Sequence, residues 1–237
     1  MLCFSTFSTH RARFHPALKA AKAEVEKLGP IRSLDVEVSL YDGFFATDDI
    51  RYSYKLGGGA LMDLGCYSIN TLEYLSSQRI KKVVSATSSA VPNDPKVDSS
   101  TNAVYQLDGD LTASLYVDMA HPPVWGFFPH FPQVLAKVTC ERGELEFSNF
   151  IGPSLLHTIV VKEGKKKRTV KDYGNGWSTY RYQLEAFVNE IKAVQAGSEV
   201  EDAAARKRRE DSVSTMRVID DTYKLTMGLR PSSIDKL

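Results

Sequence analysis

The chain has 237 residues, of which 43% are hydrophobic and 25% are charged, values that are ordinary for a soluble globular protein. Thirty basic and 29 acidic residues leave a net charge of +1, so no global electrostatic field favours nucleic acid or a membrane surface. The basic run at residues 165–168 is interpreted as the solvated tip of a hairpin.

The three cysteines are Cys3, Cys66 and Cys140, and none belongs to a CxxC pair. Their odd number argues against a disulfide framework, so we expect a reducing, cytoplasmic location. No apolar run approaches the ~18 residues of a membrane helix. The first 22 residues contain no acid, which weakly resembles a transit peptide, but the apolar stripe that begins at Phe14 favours a helix instead.

A first helix is predicted to begin at the His15-Pro16 pair and to end at Gly29-Pro30, because proline suits a first helical turn and glycine a helix end. Its apolar stripe consists of Phe14, Leu18, Ala21, Val25 and Leu28. A strand follows at residues 34–40, where apolar and polar residues alternate, so one face of the sheet should be wet. An irregular segment through Asp48-Asp49 leads to a second helix, which we expect to begin at residues 57–59.

Residues 82 to about 171 show only strand patterns, which read VVSATSSA, NAVYQL, TASLYVDM, VLAKVTC, ELEFSNF and LHTIVVK. Turns such as Asp-Gly, Arg-Gly and Glu-Gly separate several of them, and connections this short predict antiparallel pairing. Two helices close the chain. The stripe of the first is Leu184, Phe187, Val188, Ile191 and Val194, with Gly197 at its end, and that of the second is Val213, Met216, Ile219 and Tyr223, followed by Gly228 and Pro231.

This order of elements predicts an α+β fold in which helices pack on one face of an open, mainly antiparallel sheet. One domain is expected over residues 1–237, without a dinucleotide-binding domain. Such a domain would alternate strand and helix and would carry GxGxxG after its first strand. The glycine run at residues 57–59 does not fit this motif, because Met62 occupies the last glycine position.

The stretch GGGALMDLGCYSINTLEYL raises the question of function. At 100° per residue, one side of this helix carries a core stripe of Leu61, Leu64, Ser68, Leu72 and Leu75. The opposite side carries Asp63, Tyr67, Asn70 and Tyr74. A carboxylate one turn from a phenol can polarise it, and the phenol can then exchange a proton with a substrate oxygen. The alternative is that this stripe is only the wet face of an amphipathic helix.

The stretch HPPVWGFFPHFPQ, from residue 121 to 133, is unusually apolar for a loop. It either covers the core or forms an apolar wall above the Asp63–Tyr67 stripe. In the second interpretation the substrate would contact residues of both regions. These residues are Asn70, Tyr74, His121, Trp125, Phe127, Phe128 and His130.

The remaining nucleophiles and metal-ligand types do not form a recognisable motif. His121 and His130 match no zinc spacing and no cysteine joins them, so no metal is expected. Cys66 stands beside Tyr67 without a histidine or oxyanion motif to activate it, so a cysteine nucleophile is not expected.

The stretch at residues 57–75 resembles the Gfo/Idh/MocA oxidoreductases, especially fungal proteins similar to dihydrodiol and xylose dehydrogenases. The resemblance continues through RFHPAL, GELEFSNFIGP, STYRYQLEAFVNEIKA, EDSVSTMRVIDDTY and GLRPS, and so covers nearly the whole chain. It implies a C-terminal α+β domain whose open sheet supports dimerisation. It also implies that Asp63 and Tyr67 occupy the family's catalytic positions, and that His15 and His157 belong to the framework.

Two motifs of the family are missing from this sequence. The family's glycine-rich nucleotide loop and Glu-Lys-Pro motif have no counterpart in this sequence, and Glu73 stands where relatives usually have arginine. Because hydride transfer needs a cofactor held against the substrate, no nucleotide is expected to bind. The expected partners are a hydrophobic small molecule and a second copy of the chain, bound through the open sheet face.

Three functions remain open at this point. The first is a cofactor-independent enzyme that cyclises, rearranges or isomerises a hydrophobic small molecule in natural-product biosynthesis, including by a Diels–Alder-type reaction. The second is an NAD(P)-dependent oxidoreductase remnant, or a half-enzyme that needs a separate Rossmann chain. The third is a non-catalytic dimerisation or binding module. We expect the first, because Asp63, Tyr67 and the aromatic loop are kept.

Overall fold

The computed structural model describes residues 11–128, 130–196 and 199–228, without side-chain detail at 194 and 199–209. The four α-helices are α1 (Pro16–Leu28), α2 (Cys66–Ser76), α3 (Thr179–Gln195) and α4 (Glu199–Thr226). The eight strands are β1 (Ile31–Tyr41), β2 (Ile80–Val91), β3 (Asp94–Leu107), β4 (Thr112–His121), β5 (Gln133–Cys140), β6 (Glu144–Ser148), β7 (Thr158–Glu163) and β8 (Lys166–Val170). Cys3, Gly197 and Pro231 lie outside the described residues.

The eight strands form one sheet in the order β2-β3-β4-β1-β5-β6-β7-β8. Every neighbouring pair is antiparallel except β1 and β4, which run parallel. A parallel pair needs a long connection, and here α2 and the β2–β3 hairpin lie between the two strands in sequence. The predicted α+β fold with an open, mainly antiparallel sheet is confirmed.

The two faces of the sheet differ because side chains alternate along each strand. In β1, Val36 and Val38 point into the buried core under the helices, whereas Glu37 and Ser39 lie on the opposite, open face. From the sequence, the large residues Tyr105 and Tyr116 suggest that the open face is not wholly polar, but Tyr105 does not lie on it. Its side chain is fully buried on the helix side, and its hydroxyl lies 3.2 Å from Thr222 Oγ1 in α4.

The helix α1 begins and ends where the sequence predicts. Pro16 occupies the first turn, and His15 caps the helix because its side chain accepts a hydrogen bond from the Ala17 N–H at 3.2 Å. Gly29 ends it with a φ of 86°, a value that favours glycine. The helix therefore presents Leu18, Ala21, Val25 and Leu28 to the sheet.

The predicted stripes of the last two helices are only partly buried. In α3, Leu184 is 60% exposed and Val188 and Ile191 are also exposed, because this helix packs on the 3₁₀ turn Arg11–Phe14 and on α4 rather than on the sheet. In α4, Ile219 and Tyr223 are buried as expected, whereas Val213 and Met216 are exposed. The rest of the chain therefore covers only part of each stripe, and the side chain of Val194 lies outside the described detail.

The basic run at residues 165–168 is exposed, but only Lys165 lies in the turn that joins β7 to β8. Residues 166–168 belong to β8, and Arg168 forms an ion pair with Glu24 of α1. The hairpin prediction therefore holds, with the tip confined to residues 164–165. In the part of the chain that the structure describes, no helix is both long enough and apolar enough to cross a bilayer.

Candidate functional site

The three glycines at residues 57–59 form a tight turn and not the start of the helix. Gly57 and Gly59 have positive φ values of 77° and 132°. At Gly58 a Cβ atom would lie 2.4 Å from the carbonyl oxygen of Arg51, which no side chain tolerates. The N–H of Gly59 donates to that same oxygen at 2.9 Å. The glycines thus hold the backbone of Arg51 against the beginning of the helix.

The helix itself begins at Leu61 with a π turn, Leu61–Gly65, which continues directly into α2. The carboxylate of Asp98 in β3 anchors this turn, because it accepts hydrogen bonds from the Leu61 N–H at 2.8 Å and from the Tyr223 hydroxyl at 2.7 Å. A side chain at Gly65 would meet Leu61 Cδ1 at 2.7 Å. Single π turns often mark functional sites, since the extra residue redirects the side chains around it.

The four candidate site residues of this helix differ in burial. At a constant 100° per residue, the sequence places Asp63, Tyr67, Asn70 and Tyr74 opposite the core stripe, and a wet helix face was the alternative interpretation of this polar stripe. Asn70 is only 5% exposed, and Asp63, Tyr67 and Tyr74 are half-buried. Helix α2 is therefore enclosed on several sides, and the interpretation as an ordinary wet face is wrong.

Asp63 is held in an ion pair that the sequence did not reveal. Its Oδ2 accepts a hydrogen bond from Arg51 Nε at 2.8 Å, and Arg51 Nη1 also contacts both carboxylate oxygens of Asp49 at 2.9 and 3.1 Å. The guanidinium lies over the ring of Phe45, with 4.3 Å from its Cζ to the ring centroid. The only sequence signal for this partner is the glycine run, which brings Arg51 close.

Tyr67 is held by a second arginine. Arg11 Nη1 donates to the Tyr67 hydroxyl at 3.2 Å, and the Arg11 Cζ lies 4.7 Å from the ring centroid of Tyr180 in α3. Because a guanidinium has no acceptor, the phenol oxygen is the acceptor in this bond. Burial and, to a smaller degree, Cys66 raise the pKa of Tyr67 above its usual value, while Arg11 acts in the opposite direction. Tyr67 is therefore a neutral phenol at physiological pH.

Asn70 and Tyr74 do not share their surroundings with Asp63. They line a cavity of about 610 Å³ with residues of α1 and α3, and Lys22 Nζ lies 4.8 Å from the centroid of the Tyr74 ring. Glu73 lines the same cavity and binds Arg79 at 2.7 Å. This ion pair was missed, although Glu73 stood out in the sequence as an acid in a position where an arginine was expected.

The aromatic loop is exposed. Trp125 and Phe131 are 82% and 84% exposed, and Phe127 and Phe128 are exposed as well. The interpretation of this loop as a cover of the core is therefore wrong. Its aromatic rings contact one another: the centroids of Phe127 and Phe128 are 4.3 Å apart.

The histidines that flank the loop lie on the open face of the sheet, opposite α2. His121 Nδ1 lies 3.1 Å from Asp118 Oδ2, and its ring centroid is 4.0 Å from that of His130. His130 Nε2 lies 3.1 Å from the hydroxyl of the buried Ser39. The structure therefore brings together His121, His130 and the aromatic loop as one group, and Asp63 with Tyr67 as another on the helix side.

A cysteine nucleophile and a metal site are two other chemistries that residues of this chain could support. Burial, with a smaller effect of Asp63, raises the pKa of the Cys66 thiol to about 12, so this cysteine is a poor nucleophile at neutral pH. Among the described residues, no group of three or more His, Cys, Asp or Glu side chains is arranged to hold a metal ion. His15 and His157 pack edge to face, with ring centroids 5.9 Å apart, in a buried framework cluster.

The fold and this site can be compared with known proteins. The chain is 27% identical to D-xylose 1-dehydrogenase (NADP(+)) 2 of Haloferax volcanii over 215 residues, which cover 90% of this chain and 59% of that protein. Its fold matches an aldose-aldose oxidoreductase from Caulobacter crescentus complexed with glycerol, with a TM-score of 0.71 and 21% identity over 92% of this chain and 60% of that one.

A 3-ketoreductase from Actinomadura kijaniata in complex with NADP and TDP-benzene matches with a TM-score of 0.73 and 19% identity, over 92% of this chain and 61% of that one. The chain thus spans about three fifths of the length of these relatives. The family model described as GFO/IDH/MocA C-terminal domain matches residues 19–146, more than half of the chain. This protein belongs to the Gfo/Idh/MocA oxidoreductase family and contains its C-terminal domain.

Proposed function

We propose that this chain is the substrate side of an oxidoreductase that acts on a hydroxylated, sugar-like small molecule, with Tyr67 as the group that exchanges a proton with the substrate oxygen. The observation that carries the proposal is that Asp63 and Tyr67 stand one turn apart in this helical segment and are each held by their own arginine. The relatives named above support the substrate class, because their names refer to xylose, to aldoses and to a keto group.

Tyr67 is suited to this proton transfer. It is a neutral phenol whose oxygen already accepts from Arg11, so it approaches a substrate carbonyl as a hydrogen-bond donor. Charge that develops on the phenol oxygen when the proton leaves is stabilised by the Arg11 guanidinium at 3.2 Å. In the reverse direction, the same arrangement accepts the proton of a substrate hydroxyl.

Asp63 has a positioning role in this proposal. Its carboxylate fixes Arg51, and Arg51 in turn is fixed by Asp49 and by the ring of Phe45. The carboxylate of Asp63, one turn before Tyr67, is thereby fixed to a segment whose backbone the glycine turn holds in place. Rigid neighbours are what proton transfer requires, because small displacements of the reacting groups are costly in rate.

The nucleotide that the family implies does not fit the described residues. The parallel strands β1 and β4 are connected through an antiparallel hairpin, and the glycine turn at residues 57–59 follows a 3₁₀ turn, Tyr54–Leu56, rather than a strand. No pyrophosphate cradle of the strand–turn–helix type is formed there. In our proposal another domain or another chain holds the nucleotide. The exposed apolar residues of α3 lie beside Tyr180 and Arg11 and are suited to such a contact.

A cofactor-independent isomerisation or cyclisation is a second candidate. The observation that favours it is the presence of a carboxylate and a phenol on one helix, which can serve as base and acid for a proton-transfer isomerisation without a hydride acceptor. The aromatic loop was expected to shape its apolar substrate. The flanking histidines, however, contact the open face of the sheet, opposite α2.

The dependence of turnover on nucleotide distinguishes the two candidates. The protein is purified under native conditions with any chain that accompanies it, and aldoses and nucleotide-linked sugars are supplied with and without NAD(P)+ or NAD(P)H. We expect a change in absorbance at the nicotinamide wavelength only when both substrate and nucleotide are present. Turnover of a sugar without nucleotide would contradict the proposal and favour isomerisation. The isolated 237-residue polypeptide should not bind either nucleotide at micromolar concentration.

A further inference from the structure

The cavity beside the second half of α2 has no role in the proposed proton transfer. It measures about 610 Å³, and neither Asp63 nor Tyr67 is among the residues that line it. Its walls come from the turn at residues 11–14, from α1, α2, α3 and α4, and from residues 77–79, which follow α2. This volume lies in the range of cavities that hold small ligands.

The acidic groups of the cavity are already neutralised. Arg79 Nη1 binds Glu73 Oε2 at 2.7 Å, and Arg79 also forms an ion pair with Asp211 of α4. Arg13 forms a second ion pair with the same Asp211 carboxylate. The positive charges of these two arginines therefore balance the negative charges of the two carboxylates.

Further positive charge comes from α1. Lys19 and Lys22 stand one helical turn apart on α1 and both line the cavity, so the lining includes four cationic and two anionic side chains, and the charge of Glu26 also acts on Tyr74. In addition, Nη1 of Arg13 is buried and has no hydrogen-bond partner among the described residues. A buried guanidinium N–H without an acceptor is costly, and an anion brought nearby compensates its charge.

Neutral polar groups and one aromatic ring complete the lining. Asn70, Ser77 and Asn189 provide amide and hydroxyl groups that can both donate and accept hydrogen bonds. The ring of Tyr74 lies under Lys22, with 4.8 Å from Nζ to the ring centroid. This combination suits a molecule that carries hydroxyl groups as well as negative charge.

We propose that this cavity binds a small hydroxylated anion of sugar-phosphate size, at a site distinct from Tyr67. The negative group is bound by Lys19 and Lys22, and the hydroxyl groups are bound by the amides of Asn70 and Asn189. This inference does not depend on the proposed function, because it concerns binding at a separate cavity.

Isothermal titration with glucose 6-phosphate, inorganic phosphate and glucose tests the proposal on the full chain. Glucose 6-phosphate should bind with a dissociation constant below roughly 1 mM, inorganic phosphate more weakly, and neutral glucose not measurably. The double variant Lys19→Gln/Lys22→Gln should weaken glucose 6-phosphate by roughly tenfold or more, since each lysine provides a nearby charge. Glutamine keeps the helix propensity of α1, so the fold should survive.

The control removes the same charge elsewhere. Lys166→Gln/Lys167→Gln changes two exposed lysines of β8 and should leave the affinity unchanged. Asn189→Asp adds a negative charge to the cavity wall and should also weaken glucose 6-phosphate. The proposal is overturned if no saturable binding of glucose 6-phosphate occurs up to about 10 mM, or if the α1 double variant binds as the control does. Equal affinity for phosphate and glucose 6-phosphate would contradict the hydroxyl contacts.

Discussion

The buried His15 should make the stability of this protein depend on pH. Its side chain is fully buried and uses Nδ1 as the acceptor that caps α1. Burial, followed by the influence of His157, lowers the pKa of His15 from 6.5 to about 4. Protonation at Nδ1 would remove the cap and place a charge in a buried cluster. The unfolded chain, in contrast, binds the proton with the ordinary pKa.

The sign and size of the pH effect on stability follow from this difference in the pKa of His15 between the folded and the unfolded chain. Since the unfolded state binds the proton more tightly, the stabilisation is fully present above pH 6.5 and is lost as the pH falls from 6.5 to about 4. A difference of about 2.5 pKa units corresponds to roughly 3 kcal/mol in the free energy of unfolding. This is a large share of the 5–15 kcal/mol that is typical of a globular protein.

The substitution His15→Asn isolates the effect. Asparagine keeps a capping acceptor for α1 but cannot titrate. It also loses the ring contacts with His157 and Tyr182, so the variant should be less stable than the wild type at pH 7.5. The free energy of unfolding is measured in urea at pH 7.5 and at pH 4.5 for each protein. Between these pH values the wild type should lose about 2.5 kcal/mol more than the variant, since the full loss is reached only below pH 4. Equal losses in the two proteins would refute the reasoning.

Three further outcomes are expected. Gly58→Ala should lower the free energy of unfolding in urea by about 2 kcal/mol or more, because the new Cβ would lie 2.4 Å from the Arg51 carbonyl oxygen. The control Gly43→Ala should cost only about 1–2 kcal/mol, because a Cβ at Gly43 has nothing within 4 Å and only the left-handed backbone conformation opposes it. Asp98→Ala should cost about 3–5 kcal/mol, since the Leu61 N–H and the Tyr223 hydroxyl lose a buried acceptor; a loss below 1 kcal/mol would contradict the anchoring role. The chain should form a homodimer through the open sheet face, and light scattering at tens of micromolar that gives the 26.4 kDa monomer mass would argue against this.

The sequence is sufficient to predict the parts of the fold that local periodicity determines. The bounds of α1 follow from Pro16 and Gly29, and the two faces of β1 follow from alternation. These features depend on residues close in sequence, so a pattern contains the information. The open face was assigned less well, because Tyr105 is compatible with either face until the register of β3 is known.

The candidate site could be predicted only in part. Asp63 and Tyr67 stood out as chemical groups, but their partners Arg51 and Arg11 come from other segments, and no period in the sequence links them. The π turn was also missed, because it depends on Asp98 in a distant strand and on the fit of Leu61 against Gly65.

The apolar stripes of α3 and α4 show a different limit of sequence reasoning. Periodicity predicts that Leu184 and Ile191 avoid water, but it does not say what covers them. In the structure α3 packs on the turn at residues 11–14 and leaves these side chains exposed. An amphipathic pattern therefore predicts that the apolar side of a helix packs against something, but it does not identify the surface that covers it.

Turnover of the Tyr67→Phe variant tests the central claim most directly. Tyr180→Phe is the matched control, because its ring contacts the same Arg11 but its hydroxyl has no role in our proposal. With the native protein, nucleotide and a reactive sugar, Tyr67→Phe should lower kcat by roughly 10²–10⁴, the usual contribution of a general acid or base. Tyr180→Phe should stay within about twofold of the wild type. An unchanged kcat for Tyr67→Phe, with the fold intact, would contradict the assignment of Tyr67 as the proton-transfer group.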